Sequence, residues 1–403
     1  MKIVSVEAFA IEAPPTTSEV YWGARAWGRQ HAGLRDLSAH YPVEQRRRFI
    51  YSKTIDTVIV RITTDEGVVG YGEAKAPVAA RATRQIVEAL LAPLLIGTDP
   101  LETTVLWEKM YAGMRVRGHQ AGFYLEAISG IDIALWDIAG KASGRTIASL
   151  LGGAFQNKVR VYASGIPSLP ENAPDEAFEA LGDQAEAIRA NGYSALKMAF
   201  GRDLPGDIRS ARVVRERLGS GFTIYGDAAG SYDRKQALRL GFALQDLGFG
   251  FFEMPIFPED IEGYAEIARQ LTMPIALDSL MTRYETLRFL RVGGLDLVQP
   301  DVCRAGGITE CRRIAELADS FGAAFAPHIS IGSAVHFAAS THLAAAMPNT
   351  MTSEYWIGNN PIGNAVLEKP LQVEGGFMEV PTAPGLGIDI REDVLLRFAA
   401  PAN

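Results

Sequence analysis

Residues 192–201 read GYSALKMAFG, a β-prone run of small and apolar residues around one lysine, Lys197. A run this short and this apolar reads as a strand buried on both faces. An ammonium on such a strand needs a partner or a task, because burying an unpaired charge costs more than one strand position contributes. The stretch is also one beat of a rhythm. From residue 158 onward, strand patterns recur at 158–163, 194–198, 222–226, 250–254, 274–277, 295–299, 323–327 and 351–355. Amphipathic helical segments separate them, among them 175–190, 207–218, 233–247, 260–271, 308–321 and 333–346. Eight such strands alternating with seven helices predict an α/β fold, a parallel sheet closed into a TIM-like barrel.

Upstream the pattern differs. Residues 1–12 and 55–64 read as strands, and Asp65-Glu66-Gly67 turns the second into VVGYGEA (68–74). Helical patterns follow at 79–95, 101–113 and 120–142, the last stopped by Gly144. Strands followed by helices predict a small α+β unit. Glu7 inside the first apolar run marks a strand and not a signal peptide. Between these elements, 14–50 is irregular and carries Tyr21, Trp22, Arg25, Trp27, Arg29 and His31, the content of a substrate lid or of a subunit contact. Arg25, Arg29, His31 and Trp22 are the candidate substrate-binding residues of this loop. The expected organisation is an N-terminal cap at 1–155, a barrel at 156–365 and a tail at 366–403 returning to the cap.

The 403 residues carry 48% hydrophobic and 21% charged side chains with a net charge of −8, the composition of an ordinary soluble globular protein. That charge argues against nucleic acid or an anionic membrane as the main partner. The basic triplet Arg46-Arg47-Arg48 reads as a solvated face. Two cysteines, Cys303 and Cys311, form neither a disulfide framework nor a zinc motif, which suits a reducing cytoplasm.

Catalytic side chains of such barrels gather at the C-terminal ends of the strands. Reading those ends in order gives Lys197, Asp227, Glu253, Asp278, Asp301, His328 and Glu354. Any one of these could be a helix cap or a satisfied core residue. Seven successive strand ends bearing ionisable groups are a site. Asp227, Glu253 and Asp278 fall on three neighbouring strands, and three carboxylates in one mouth repel one another unless a cation joins them. All-oxygen ligation suits Mg²⁺, with Mn²⁺ as a substitute, better than zinc. Asp301 and His328 end adjacent strands, where a carboxylate would fix the tautomer of the imidazole and make it a base. A cation beside a base is what proton abstraction next to a carboxylate requires, because the enolate that forms is negatively charged.

These residues resemble the enolase superfamily, in its mandelate racemase-like branch (the mandelate racemase/muconate lactonizing enzyme family). The likeness runs through AISGIDIALWDIAGKASGRTIASLLGG (127–153), IYGDAAGSYD (224–233), FFEMP (251–255), VQPDVCRAGGITE (298–310), APHISIG (326–332) and PGLGIDI (384–390). It implies a (β/α)7β barrel capped by the two termini, and one Mg²⁺ per subunit on Asp227, Glu253 and Asp278. It further implies a His328–Asp301 dyad, Glu354 bonded to the substrate carboxylate, and a homo-oligomer. The branch usually shows Lys-x-Lys on the second barrel strand. Here the motif is Lys197-Met198-Ala199, so the second base is missing and Lys197 is left an electrostatic role. Ala229, Met254 and Asp278 are further departures, standing where relatives often carry Asn, a polar residue and Glu. The resulting expectation is a Mg²⁺-dependent lyase that dehydrates a sugar acid to a 2-keto-3-deoxy acid. The alternative is a cycloisomerase or epimerase acting on a sugar lactone or an amino-bearing acid. NNPIGNAVLEKPLQVEGG (359–376) resembles sugar-lactone cycloisomerases. A non-catalytic metal-binding homologue is the remaining alternative.

Overall fold

The computed structural model describes residues 1–14, 52, 54–358 and 360–400. The candidate loop residues Trp22, Arg25, Arg29 and His31, with Tyr21, Trp27 and the arginine triplet, lie outside the described residues.

The chain opens with an antiparallel sheet, β1 (Ile3–Ala13), β2 (Ile55–Thr64) and β3 (Val69–Ala74), in the order β1-β2-β3. The helix Phe123–Ser143 lies on this sheet. The GYG of β3 is what lets it come so close. A Cβ at Gly72 would sit 1.9 Å from the Gly130 carbonyl oxygen, and one at Gly70 would sit 2.3 Å from that of Ala134. Helix Ala80–Ile86 passes through a π turn at Val87–Leu91 into Ala92–Leu95, so the single helix expected there is interrupted.

The barrel follows. Its strands are β4 (Lys158–Pro167), β5 (Ala195–Ala199), β6 (Thr223–Asp227), β7 (Phe252–Glu253), β8 (Ile275–Leu277), β9 (Leu297–Val298), β10 (Ala324–Phe325) and β11 (Ser353–Trp356). They pair in parallel from β4 through β10. β11 pairs with β4, and a bridge from Phe325 to Thr350 closes the ring. Seven helices connect the eight strands, a (β/α)7β barrel. The last segment of the chain clasps both units. β13 (Phe377–Glu379), after its hairpin partner β12 (Val373–Glu374), pairs antiparallel with the start of β4. Farther on, Glu12 N donates to Phe398 O at 3.0 Å and Ala400 N to Ala10 O at 2.7 Å, which ties the tail to β1.

The base of the barrel is filled by Tyr162, Ala195, Tyr225, Phe251, Ala276, Leu297 and Ala326, with Tyr225 and Phe251 stacked at 4.0 Å. Side chains two apart on a strand share a face. The position two residues beyond each of six of these plug residues is therefore aimed into the barrel mouth, at Lys197, Asp227, Glu253, Asp278, Gln299 and His328. Among the described residues no helix is long and apolar enough to cross a membrane.

Candidate active site

Every ionisable residue expected at the strand ends is buried in this mouth or opens onto it. The position differs from expectation at three of them. Asp301 and His328 stand on the turns three residues past β9 and β10, and Glu354 is the second residue of β11 and not its end. The paired stretches are only two residues long at β9 and β10. Asp301 and His328 therefore sit on turns, whereas Lys197, Asp227, Glu253 and Glu354 sit on the ladder itself.

Lys197 answers the charge question raised by its strand. Its Nζ donates to Glu253 Oε2 at 2.8 Å and lies 3.2 Å from Glu354 Oε1 and 3.4 Å from Asp227 Oδ2. The ring of Tyr162 lies beneath it, 5.6 Å away. Burial opposes the charge, but Glu253 and Glu354 outweigh burial and raise the lysine well above its ordinary pKa. Ala199, the next residue on the same face, is buried and offers only a methyl group.

The carboxylates are strained in the opposite sense. Burial, together with the negative charge of Asp278, pushes Asp227 up to about 6. Burial, with Asp227 beside it, raises Glu253 well above the carboxylate range. Glu354 is buried too. Lys197, then His328, the Ser164 hydrogen bond and the Ile329 N–H, nevertheless hold its pKa below the ordinary value; Ile329 N and Ser330 N each donate to its Oε2 at 2.8 Å. Asp278 Oδ1 is buried with no hydrogen-bond partner. An all-oxygen set containing an unpartnered buried oxygen and carboxylates that resist ionisation together fits a hard divalent cation. Ligand atoms of Glu253, Asp278 and His328 lie within 4.8 Å of one another. Asp227 stands beside this group, with Oδ1 held by Ala229 N at 2.9 Å and Oδ2 facing Lys197.

His328 Nδ1 lies 3.0 Å from Asp301 Oδ2. Its Nε2 lies 3.5 Å from Asp278 Oδ2 and 3.7 Å from Glu354 Oε2, on the cation side of the mouth. Burial alone would raise the Asp301 pKa. His336, Lys75 and the His328 hydrogen bond overcome it and hold the group well below its ordinary value. An ionised Asp301 accepts the Nδ1–H, which leaves Nε2 as the basic nitrogen.

Three non-glycine residues beside these groups have left-handed backbone: Ala229 (φ 45), Met254 (φ 39) and Ser330 (φ 53). They follow Asp227, Glu253 and His328 within two residues. Such backbone costs of order 1–3 kcal/mol each and collects where the surroundings fix a functional geometry.

Four contributors were not found from sequence. Gln299 Nε2 donates to Glu253 Oε2 at 3.0 Å, Lys75 reaches Asp301, His336 flanks it, and Ser164 bonds Glu354. Gln299 and Ser164 were findable, since each lies two residues beyond a plug residue, Leu297 and Tyr162, as Lys197 and Asp227 do. Glu73, Cys303 and His336 form a second buried group of three, but Glu73 already accepts from Ser333 N, Ser333 Oγ, His336 N and Thr57 Oγ1. It is an anchor between β3 and the helix Ala334–Ala346.

Comparison with known proteins gives a consistent result. The family described as "Enolase C-terminal domain-like" matches residues 180–394, and "Mandelate racemase / muconate lactonizing enzyme, N-terminal domain" matches residues 40–152. The chain is 37% identical to D-galactarolactone cycloisomerase of Agrobacterium fabrum, over 85% of this chain and 91% of the relative. It is 33% identical to arabinonate dehydratase of Saccharolobus solfataricus, again over 85% and 91%. Among solved structures it resembles a racemase from Streptomyces coelicolor with bound magnesium, with a TM-score of 0.83, 27% identity, and 99% and 100% of the two chains covered.

Proposed function

Since the chain belongs to the mandelate racemase/muconate lactonizing enzyme family of the enolase superfamily, we propose that it takes the α-proton from a sugar acid and expels the oxygen on the neighbouring carbon. The observation that carries this is the pairing of His328 with Asp301 at 3.0 Å on one side of the mouth, opposite a strand that offers Ala199 where a second base would stand.

Asp227, Glu253 and Asp278 would hold Mg²⁺, which when bound offsets the negative charge that builds on the substrate carboxylate. The rest of the work falls to the chain. Asp301 keeps the Nδ1–H on His328, and Nε2 takes the α-proton. Lys197 sets a fixed positive charge beside the same carboxylate, and Glu354, held by two backbone amides, keeps that ammonium in place from 3.2 Å away. The proton on His328 then goes to the departing β-oxygen. With one base, proton removal and oxygen departure occur on the same face. In an open-chain acid that oxygen leaves as water, and the product is a 2-keto-3-deoxy acid. The partner is accordingly a small carboxylate, and the working unit a homo-oligomer.

A second reading is cycloisomerisation. There the expelled oxygen belongs to a ring and stays tethered, so no water is lost. The 37% identity to a lactone cycloisomerase and the likeness of 359–376 to such enzymes favour it. The test is a panel of aldonic acids, aldaric acids and their lactones incubated with Mg²⁺ in deuterated water. Keto product with one water lost supports dehydration, and keto product of unchanged composition supports cycloisomerisation. If no panel member gives keto product or gains α-deuterium, while a relative run alongside does so, the proposal is wrong.

A further inference from the structure

The chain just past β3, from the cap, reaches the turns that carry Asp301 and His328. Lys75 follows Glu73 and Ala74 there and is 5% exposed. Its backbone N donates to Cys303 O at 2.9 Å, which docks it on the turn carrying Asp301. Its Nζ donates to Asp301 Oδ2 at 3.0 Å and to Ile329 O at 2.5 Å. The oxygen it binds is the one that accepts from His328 Nδ1. The carbonyl it binds belongs to the residue after His328. That residue's own N–H is held by Glu354 Oε2. One ammonium thus joins the acid of the dyad to the backbone of the turn that carries the base.

We propose that Lys75 is a positioning residue for proton abstraction, supplied by the cap, which fixes the His328 ring and its Nδ1–H tautomer. The inference rests on His328 acting as the base. The turn needs such a hold. Ser330 keeps it in left-handed backbone, and His328 stands three residues past the end of β10. Asp301 retains Cys303 N at 2.8 Å and His336 Nε2 at 3.0 Å without Lys75, so the carboxylate stays buried and partnered on Oδ1. What is lost is the restraint on Oδ2 and on the Ile329 carbonyl. A reacting nitrogen displaced by about 1 Å costs on the order of 100-fold in rate without weakening substrate binding.

The experiment compares Lys75→Met and Lys75→Arg with the wild-type protein in two measurements. Long-range ¹H–¹⁵N NMR of the imidazole rings, with His328 assigned by its loss in His328→Asn, reads the tautomer without any substrate. Deuterium entry at the α-carbon of galactonate, arabinonate or galactarolactone, whichever exchanges with the wild type, reads proton transfer. The expected result for Lys75→Met is a His328 signal that leaves the single Nδ1–H tautomer, with exchange slowed 10–100-fold at unchanged KM. Lys75→Arg should recover both. The proposal is overturned if Lys75→Met keeps the wild-type ring signal. It is overturned as well if exchange falls only in proportion to folded protein, with Arg no better than Met. If the wild type neither exchanges nor converts any of the three, the functional reading fails while the ring signal still decides the role of Lys75.

Discussion

Replacing His328 with Asn is the perturbation on which the chemistry turns. Asn keeps a polar group able to face Asp301 but has no basic nitrogen. The structure bounds what could substitute for it. The other groups near the position of Nε2 are Asp278 Oδ2 and Glu354 Oε2, at 3.5 and 3.7 Å. Glu354 is held ionised by Lys197 and two backbone amides, which makes it a weak base, and Asp278 belongs to the set that would hold a cation. On the opposite face stand Ala199 and a lysine whose charge three carboxylates stabilise. A positioned general base contributes roughly 100- to 10,000-fold, or about 3–5 kcal/mol at 1.36 kcal/mol per decade. With no deputy in reach, His328→Asn should lose that whole range. The assay is the rate of solvent deuterium entry at the α-position, followed by NMR with Mg²⁺ present. Lys197→Met serves as comparison and should weaken substrate binding and slow exchange without abolishing it. If His328→Asn still exchanges the α-proton and Lys197→Met does not, the base lies on the other side and the one-face argument fails.

The metal argument makes its own prediction. Chelation should abolish turnover and Mg²⁺ restore it, and Glu253→Gln should raise the Mg²⁺ concentration needed for half-activation by at least tenfold, since one formal charge is removed from three. Full activity in a metal-free preparation would refute it. A third expectation concerns pH and lies away from the site. His342 is fully buried, its Nε2–H donating to Leu386 O at 3.1 Å, and burial lowers its pKa from 6.5 to about 4. The folded state therefore binds fewer protons than the unfolded state between those values. The stability this contributes is present above pH 6.5 and is lost as the pH falls from there through about 4, about 3 kcal/mol in all. Denaturant unfolding at several pH values should show this slope in the wild type and a flatter one in His342→Gln. Equal slopes would mean the ring is not buried neutral.

The (β/α)7β barrel and the seven ionisable positions were legible because both follow from local rules. Strand and helix periods are written in consecutive residues, and a period of two places a mouth residue above each plug residue. Lys197, Asp227 and Glu253 fall where that rule puts them. Strand lengths were less legible. The runs at 295–299 and 323–327 read as five-residue strands, yet only Leu297–Val298 and Ala324–Phe325 pair, because the chain beyond them turns to present Asp301 and His328. The contacts made from the cap were not legible at all. Lys75 lies 226 positions before Asp301, and Glu73 260 before Ser333. Nothing in GYGEAK marks a lysine that will meet a buried aspartate from another unit.

That asymmetry bears on the missing second lysine. Lys197 and Ala199 are adjacent on one strand face, so the departure from Lys-x-Lys is visible in five letters of sequence. Its consequence depends on what surrounds it. A methyl group at 199 would matter little if another base faced the substrate from that side. Among the described residues, Asp227, Glu253 and Glu354 converge on Lys197 there, and the ion pairs that hold Lys197 charged also deprive it of a lone pair. The carboxylates that concentrate negative charge for a cation are thus the same groups that exclude the remaining lysine from proton abstraction. On the proposed function, proton abstraction is left to His328, and a single base that must both remove the α-proton and protonate the departing oxygen would restrict the enzyme to substrates in which the two lie on one face.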